Sequence, residues 1–173
     1  MRSIKSLFLI KSPKQKTNIL LISLLLSLML VDQVTKNAFI KWLPFTKPGE
    51  TLFGFSFHGV FNEGLILNLQ IKGMDVVFGA LIFTLLLITL LFFYVAGLRW
   101  LSQTFYTIKV GITFLCGGVF SNLLDKIRHG QVLDFIKFQL TENSVSFFFN
   151  TADIFQTIGW VILIYGGVKL KKQ

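Results

Sequence analysis

The 173 residues are 53% hydrophobic and only 14% charged, a balance too apolar for the surface of a soluble domain of this size. The formal net charge of +9 does not point to nucleic acid, because the basic residues neither interleave with exposed aromatics nor line one amphipathic helix. A single cysteine, Cys116, lies inside an apolar run, which excludes an intrachain disulfide and a thiolate metal cluster and reads as packing.

A span needs about 20 mostly apolar residues to cross a hydrocarbon core about 30 Å thick. The first apolar run, Ile19 to Val31, follows Arg2, Lys5, Lys11, Lys14 and Lys16. No small-x-small cleavage site comes after it, since the chain continues Asp32, Gln33, Val34; the run is therefore read as a membrane span over about residues 17–35 rather than a cleaved leader. The long connection to residue 75 holds two stretches, Thr51 to Phe57 and Val60 to Leu69, whose aromatic and branched residues roughly alternate like short strands. A second span over 76–98 is interrupted only by Gly79, Thr84, Thr89, Tyr94 and Gly97. The third, over 108–126, carries Gly111, Gly117 and Gly118, small residues that permit close helix packing. Two further strand-like pieces follow, Val132 to Gln139 and Val145 to Phe149, before a fourth span over 152–170 with Gly159, Gly166 and Gly167. The expected architecture is a single all-α membrane domain of four transmembrane helices. A small extracytoplasmic β-sheet is drawn from about 41–72 and 130–149.

The basic residues flanking the spans set the orientation. With both termini cytoplasmic, that side carries Arg2, Lys5, Lys11, Lys14, Lys16, Arg99, Lys109, Lys169, Lys171 and Lys172 and no carboxylate. The other side carries Asp32, Glu50, Glu63, Asp75, Asp125, Asp134, Glu142 and Asp153, all eight acids, beside seven bases. Whatever the carboxylates do happens there.

Carboxylates at membrane depth cost about 2.5 to 3.5 kcal/mol on insertion scales, so four near the span ends call for explanation. Asp32 and Lys36, four apart, can pair on one helix face. Asp125 ends a helix whose C-terminal dipole disfavours negative charge, and Lys126 or Arg128 is the expected partner. Asp153, three residues after Asn150, fits a capping-box arrangement. Asp134 has no such role, being flanked by Leu133 and Phe135 in a strand-like segment where aspartate is disfavoured. Two carboxylates in apolar settings at one interface are what an aspartic dyad requires: close together, one keeps a proton while the other accepts one from water. His58 and His129 lie in different loops with no metal-binding spacing, and neither a GxSxG nor a phosphate-cradling GxxxxGK motif occurs, so no metal or cofactor is expected.

Five motifs in order, DQVTK at Asp32 to Lys36, FNEG at Phe61 to Gly64, GGVFSNLLDK at Gly117 to Lys126, GQVLDFI at Gly130 to Ile136 and FNTAD at Phe149 to Asp153, resemble the lipoprotein signal peptidase family, signal peptidase II. The resemblance covers essentially the whole chain. It implies Asp134 and Asp153 as the catalytic pair, with Asp32, Lys36, Asn62, Gly64, Asn122, Asp125, Lys126 and Asn150 binding substrate or supporting the pair. It further implies a bacterial inner-membrane endopeptidase acting as a monomer on diacylglyceryl-modified prolipoproteins, cutting before the lipidated cysteine, in contact with membrane lipid and blocked by globomycin-type inhibitors. The chain departs from the family pattern at Ser121, where glycine is usual, at Lys126, where arginine is usual, and at Leu65, Ile66 and Leu67. Those departures motivate a rival reading, a catalytically weak or inactive relative that binds lipoproteins or lipids. An ion or proton transporter is a further alternative, disfavoured because no carboxylate falls at a span's midpoint and no inverted repeat is visible.

Overall fold

The computed structural model describes residues 13–42, 52–62, 88–89, 91–102, 105–141 and 144–171. Helix α1 runs Pro13–Trp42 and begins on a proline, whose fixed φ and missing N–H suit a first helical turn. Strand β1 is Phe55–Asn62; helix α2 is Leu91–Trp100; helix α3 is Tyr106–His129. Strands β2, Val132–Phe138, and β3, Phe147–Phe149, follow, and helix α4 covers Thr151–Lys171. Three helices among the described residues, α1, α3 and α4, are long and apolar enough to cross a membrane. Helix α2 is the end of the apolar run expected over 76–98, most of which lies outside the described residues.

Helices α3 and α4 pack where side chains are smallest. A Cβ built on Gly118 would stand 2.3 Å from the Ala152 carbonyl oxygen, and one on Gly159 would stand 2.8 Å from the Leu115 backbone nitrogen. Only glycine allows the backbones to approach so closely. On the other flank of α3, Cys116 is fully buried with Leu25 of α1 and Tyr94 of α2, backed by Met29, Leu98, Ile112 and Phe120. The outward faces stay apolar, with Leu20, Leu26 and Leu30 of α1 and Trp160, Ile164 and Tyr165 of α4 exposed, as lipid-facing surfaces are.

Helix α3 stops at Gly130, whose φ of 72° lets its N–H turn back to the Lys126 carbonyl at 2.9 Å, a left-handed ending that glycine adopts without penalty. The chain enters β2 two residues later. The sheet is antiparallel in the order β1-β2-β3, so β2 is central. Phe55 to Phe57, the end of the first expected stretch, and Val60 to Asn62, the start of the second, belong to one continuous strand, β1, while Leu52 makes only an isolated bridge to Phe55; the register slips between Phe57, opposite Ile136, and Val60, opposite Asp134. That slip is a β-bulge, and it breaks the alternation from which two pieces were read. His58, expected in a loop, therefore lies on a strand. The Val145 to Phe149 piece is shortened to Phe147–Phe149, and residues 63–69 lie outside the described residues. Phe39 of α1 stacks on Phe135 of β2 at 4.1 Å and meets Phe57 of β1 at 5.1 Å, fixing the sheet against the end of the first helix.

Candidate active site

The site is built where the ends of α1 and α3 meet the start of α4. On α1, Asp32 and Lys36 share a face, and Lys36 Nζ lies 2.6 Å from Asp32 Oδ2. The same ammonium reaches Asp125 Oδ2 at 2.6 Å and donates to Asn122 Oδ1 at 2.7 Å, so all three of its protons have partners. Asp32 is fully buried and Lys36 is 3% exposed. Asp32 accepts two further bonds, from the Ser121 hydroxyl at 2.7 Å and the Ala152 backbone N–H at 2.8 Å. Asp125 takes a bond from Gln33 Nε2 at 2.7 Å. Its charge is thus balanced from across the helix pair by α1, whereas Lys126 or Arg128 was expected. Neighbours one residue apart do not share a helical face; Lys126 Nζ instead lies 3.5 Å from the Gly130 carbonyl, and Arg128 is exposed.

Asn150 organises the other half. Its side-chain oxygen accepts from the Asp153 N–H at 3.1 Å while its own N–H donates to Asp153 Oδ2 at 2.9 Å, the reciprocal capping box that starts α4. Its amide nitrogen donates to Asp134 Oδ1 at 2.7 Å and to Asn122 Oδ1 at 3.1 Å. Asn122 then donates to Asp153 Oδ1 at 3.1 Å, and Asn62 of β1 donates to Asp134 Oδ2 at 2.9 Å. Asp134 and Asp153 are therefore held by one residue between them.

Burial pushes the Asp134 carboxyl up to about 6; the Asn62 donor pulls it down, the neighbouring Asp153 charge pushes it up, and Asn150 and Lys36 pull it down. A carboxyl in this range exchanges protons near neutral pH, as a general acid or base must. Among the described residues, no group of three or more His, Cys, Asp or Glu could hold a metal ion.

Seven of the residues singled out in the sequence besides Lys126 and Gly64 sit in this single network with Asp134: Asp32, Lys36, Asn62, Asn122, Asp125, Asn150 and Asp153. Gly64 lies outside the described residues. Sequence reasoning missed Gln33, whose only signal was a polar residue beside Asp32 at a span end, and it noted Ser121 only as a departure from pattern. Residues 24–169 match the family model described as signal peptidase (SPase) II. The chain belongs to the signal peptidase II family. All of the network's members fall within the matched segment. Curated relatives of signal peptidase II include the lipoprotein signal peptidase of Rickettsia bellii (strain OSU 85-389), 34% identical over 156 residues, covering 87% of this chain and 75% of the relative. The lipoprotein signal peptidase of Rickettsia akari (strain Hartford) is 35% identical over 145 residues, covering 82% and 71%. A solved structure described as a bacterial membrane enzyme shares the fold, with a TM-score of 0.65 at 24% identity, over 86% of this chain and 87% of that one.

Proposed function

We propose that this member of the signal peptidase II family is an intramembrane aspartic endopeptidase of the bacterial cytoplasmic membrane, removing signal peptides from diacylglyceryl-modified prolipoproteins just before the lipidated cysteine. In this reading four helices span the bilayer, both termini are cytoplasmic, the site opens on the outer side, and the enzyme works as a monomer sensitive to globomycin-type inhibitors. The observation that carries it is Asn150, which binds Asp134 through its side chain and Asp153 through its backbone and so sets two carboxyls around one point.

The pair shares one proton. The ionised member takes a proton from water as the oxygen attacks the scissile carbonyl; the protonated member gives its own to the carbonyl oxygen. As the tetrahedral intermediate collapses, the member that took the proton from water gives it to the leaving nitrogen, and a hydroxyl of the intermediate returns a proton to the other member, restoring the starting state. The amide donors of Asn62, Asn122 and Asn150 fix the carboxyls in position, and the Lys36 ammonium, itself fixed by Asp32 and Asp125, is a rigid support behind them. Substrate enters sideways from the lipid, because drawing each methylene of a diacyl anchor into water would cost about 0.8 kcal/mol.

The test is prolipoprotein maturation in cells depleted of their own enzyme. The native chain restores processing, and Asp134→Asn or Asp153→Asn each lowers it by about three orders of magnitude or more, as removal of an acid–base group does. Normal processing by either variant refutes the dyad; binding without processing by the native chain favours the inactive-relative reading.

A further inference from the structure

We propose that the end of the bundle opposite the aspartates binds a phosphate group, with Lys109 and Lys14 as its charged ligands. Lys109 stands in the first turn of α3, is 2% exposed, and its Nζ is buried with no hydrogen-bond partner among the described residues. A buried ammonium without a partner is costly, so the fold implies a counter-charge. Among the described residues no carboxylate pairs with it. Asp125, on the same helix, is 16 residues away, roughly 24 Å at 1.5 Å per residue, and it is already held by Lys36 and Gln33. No acid occurs in residues 1–31, 76–124 or 154–173.

Other features of the same turn suit an anion with several oxygens. Phe105, at the N-cap, makes no side-chain bond to the turn, and the turn carries no acidic residue; a helix start leaves its first N–H groups without intrahelical partners, at the positive end of the dipole. Helical side chains slant toward the N-terminus, which aims Lys109 at those N–H groups. Lys14 of α1 lies within electrostatic reach of Lys109. It donates to the Arg99 carbonyl at the end of α2 and keeps further protons for a ligand. Two ammoniums and a helix N-terminus match a phosphate oxygen cage, from either an anionic phospholipid headgroup or free phosphate.

The experiment reads binding rather than peptidase activity, so it stands apart from the test of the dyad. Purified full-length protein in uncharged detergent is titrated with phosphatidylglycerol, phosphatidylcholine and inorganic phosphate, with bound species followed by native mass spectrometry. Phosphatidylglycerol or inorganic phosphate is expected to bind the native chain about tenfold more tightly than Lys109→Gln, with Lys109→Arg keeping native affinity and the exposed-site control Lys171→Gln unchanged. Displacement of lipid by inorganic phosphate assigns the site to free phosphate, and retention of lipid assigns it to the headgroup. No binding of either by the native chain, or equal binding by Lys109→Gln, overturns the proposal.

Discussion

Asp134 is an acid on the central strand of a sheet, kept from water, and its carboxyl titrates near 6 because burial outweighs the donors around it. A folded-state value above the ordinary 3.8 means that the folded chain binds this proton more tightly than the unfolded chain. The resulting stability is complete below about pH 4 and lost as pH rises through about 6, an amount of about 3 kcal/mol. In detergent, the stability of the native chain relative to Asp134→Asn, which has nothing to ionise there, is expected to fall between pH 4 and pH 7 in thermal unfolding. Ser121 makes a second prediction at this scale. Its hydroxyl donates to a fully buried carboxylate, and bonds to charged groups contribute about 1.5 to 3 kcal/mol; Ser121→Ala should lower stability by about that amount in the same assay. Asp134, flanked by apolar neighbours, and Asp32 with Lys36, four apart, were legible in sequence because the signal is local. The partner of Asp125 was not, because Lys36 reaches it across a helix interface from 89 positions away in sequence. Local rules pointed instead to Lys126 and Arg128.

Among the elements, the α3 and α4 pair sets the site, since α3 carries Asn122 and Asp125 while the first turn of α4 carries Asp153. Glycines in these runs announced close packing, but which of them touch depends on the rotation of each helix, which periodicity alone leaves undetermined. Gly118 faces the Ala152 carbonyl, whereas Gly167 has nothing within 4 Å of a would-be Cβ. Gly118→Ala is therefore expected to destabilise by at least about 1–3 kcal/mol through overpacking, with loss of processing as the α4 start is pushed away. Gly167→Ala should leave both unchanged, as measured by thermal unfolding and the maturation assay. Strand content was legible from aromatic and branched residues. The bulge at His58 and Gly59 was not, because an inserted residue inverts the alternation on which strand reading rests. It also keeps Val60 opposite Asp134 and Asn62 near enough to donate to it.

For the molecule as a whole, sequence hydropathy marked α1, α3 and α4, and the uneven distribution of charge grouped the four acids at described positions at one end of them. The structure adds that the acids at the described positions join one network instead of standing separately at the interface. The proposed orientation has a direct check. Lys41, at the end of α1 that meets the start of α4, and Lys171, at the far end of α4, are both exposed, and fully buried Cys116 can stay in place. In intact cells, a membrane-impermeant maleimide should label Lys41→Cys and leave Lys171→Cys unlabelled until the membrane is opened. The reverse pattern would invert the topology.

The length of the first helix has a consequence for this arrangement. Its 30 residues rise about 45 Å, roughly 15 Å more than the thickness of a hydrocarbon core, and Phe39, near its tip, packs against rings of two paired strands. The sheet thus stands on a rigid mast of fixed height. In the proposed orientation, the level of the aspartates relative to the acyl chains is consequently set by the bilayer as much as by the protein: lipids with longer tails bring the oily boundary nearer to the carboxyls, and shorter ones leave them standing in the headgroups.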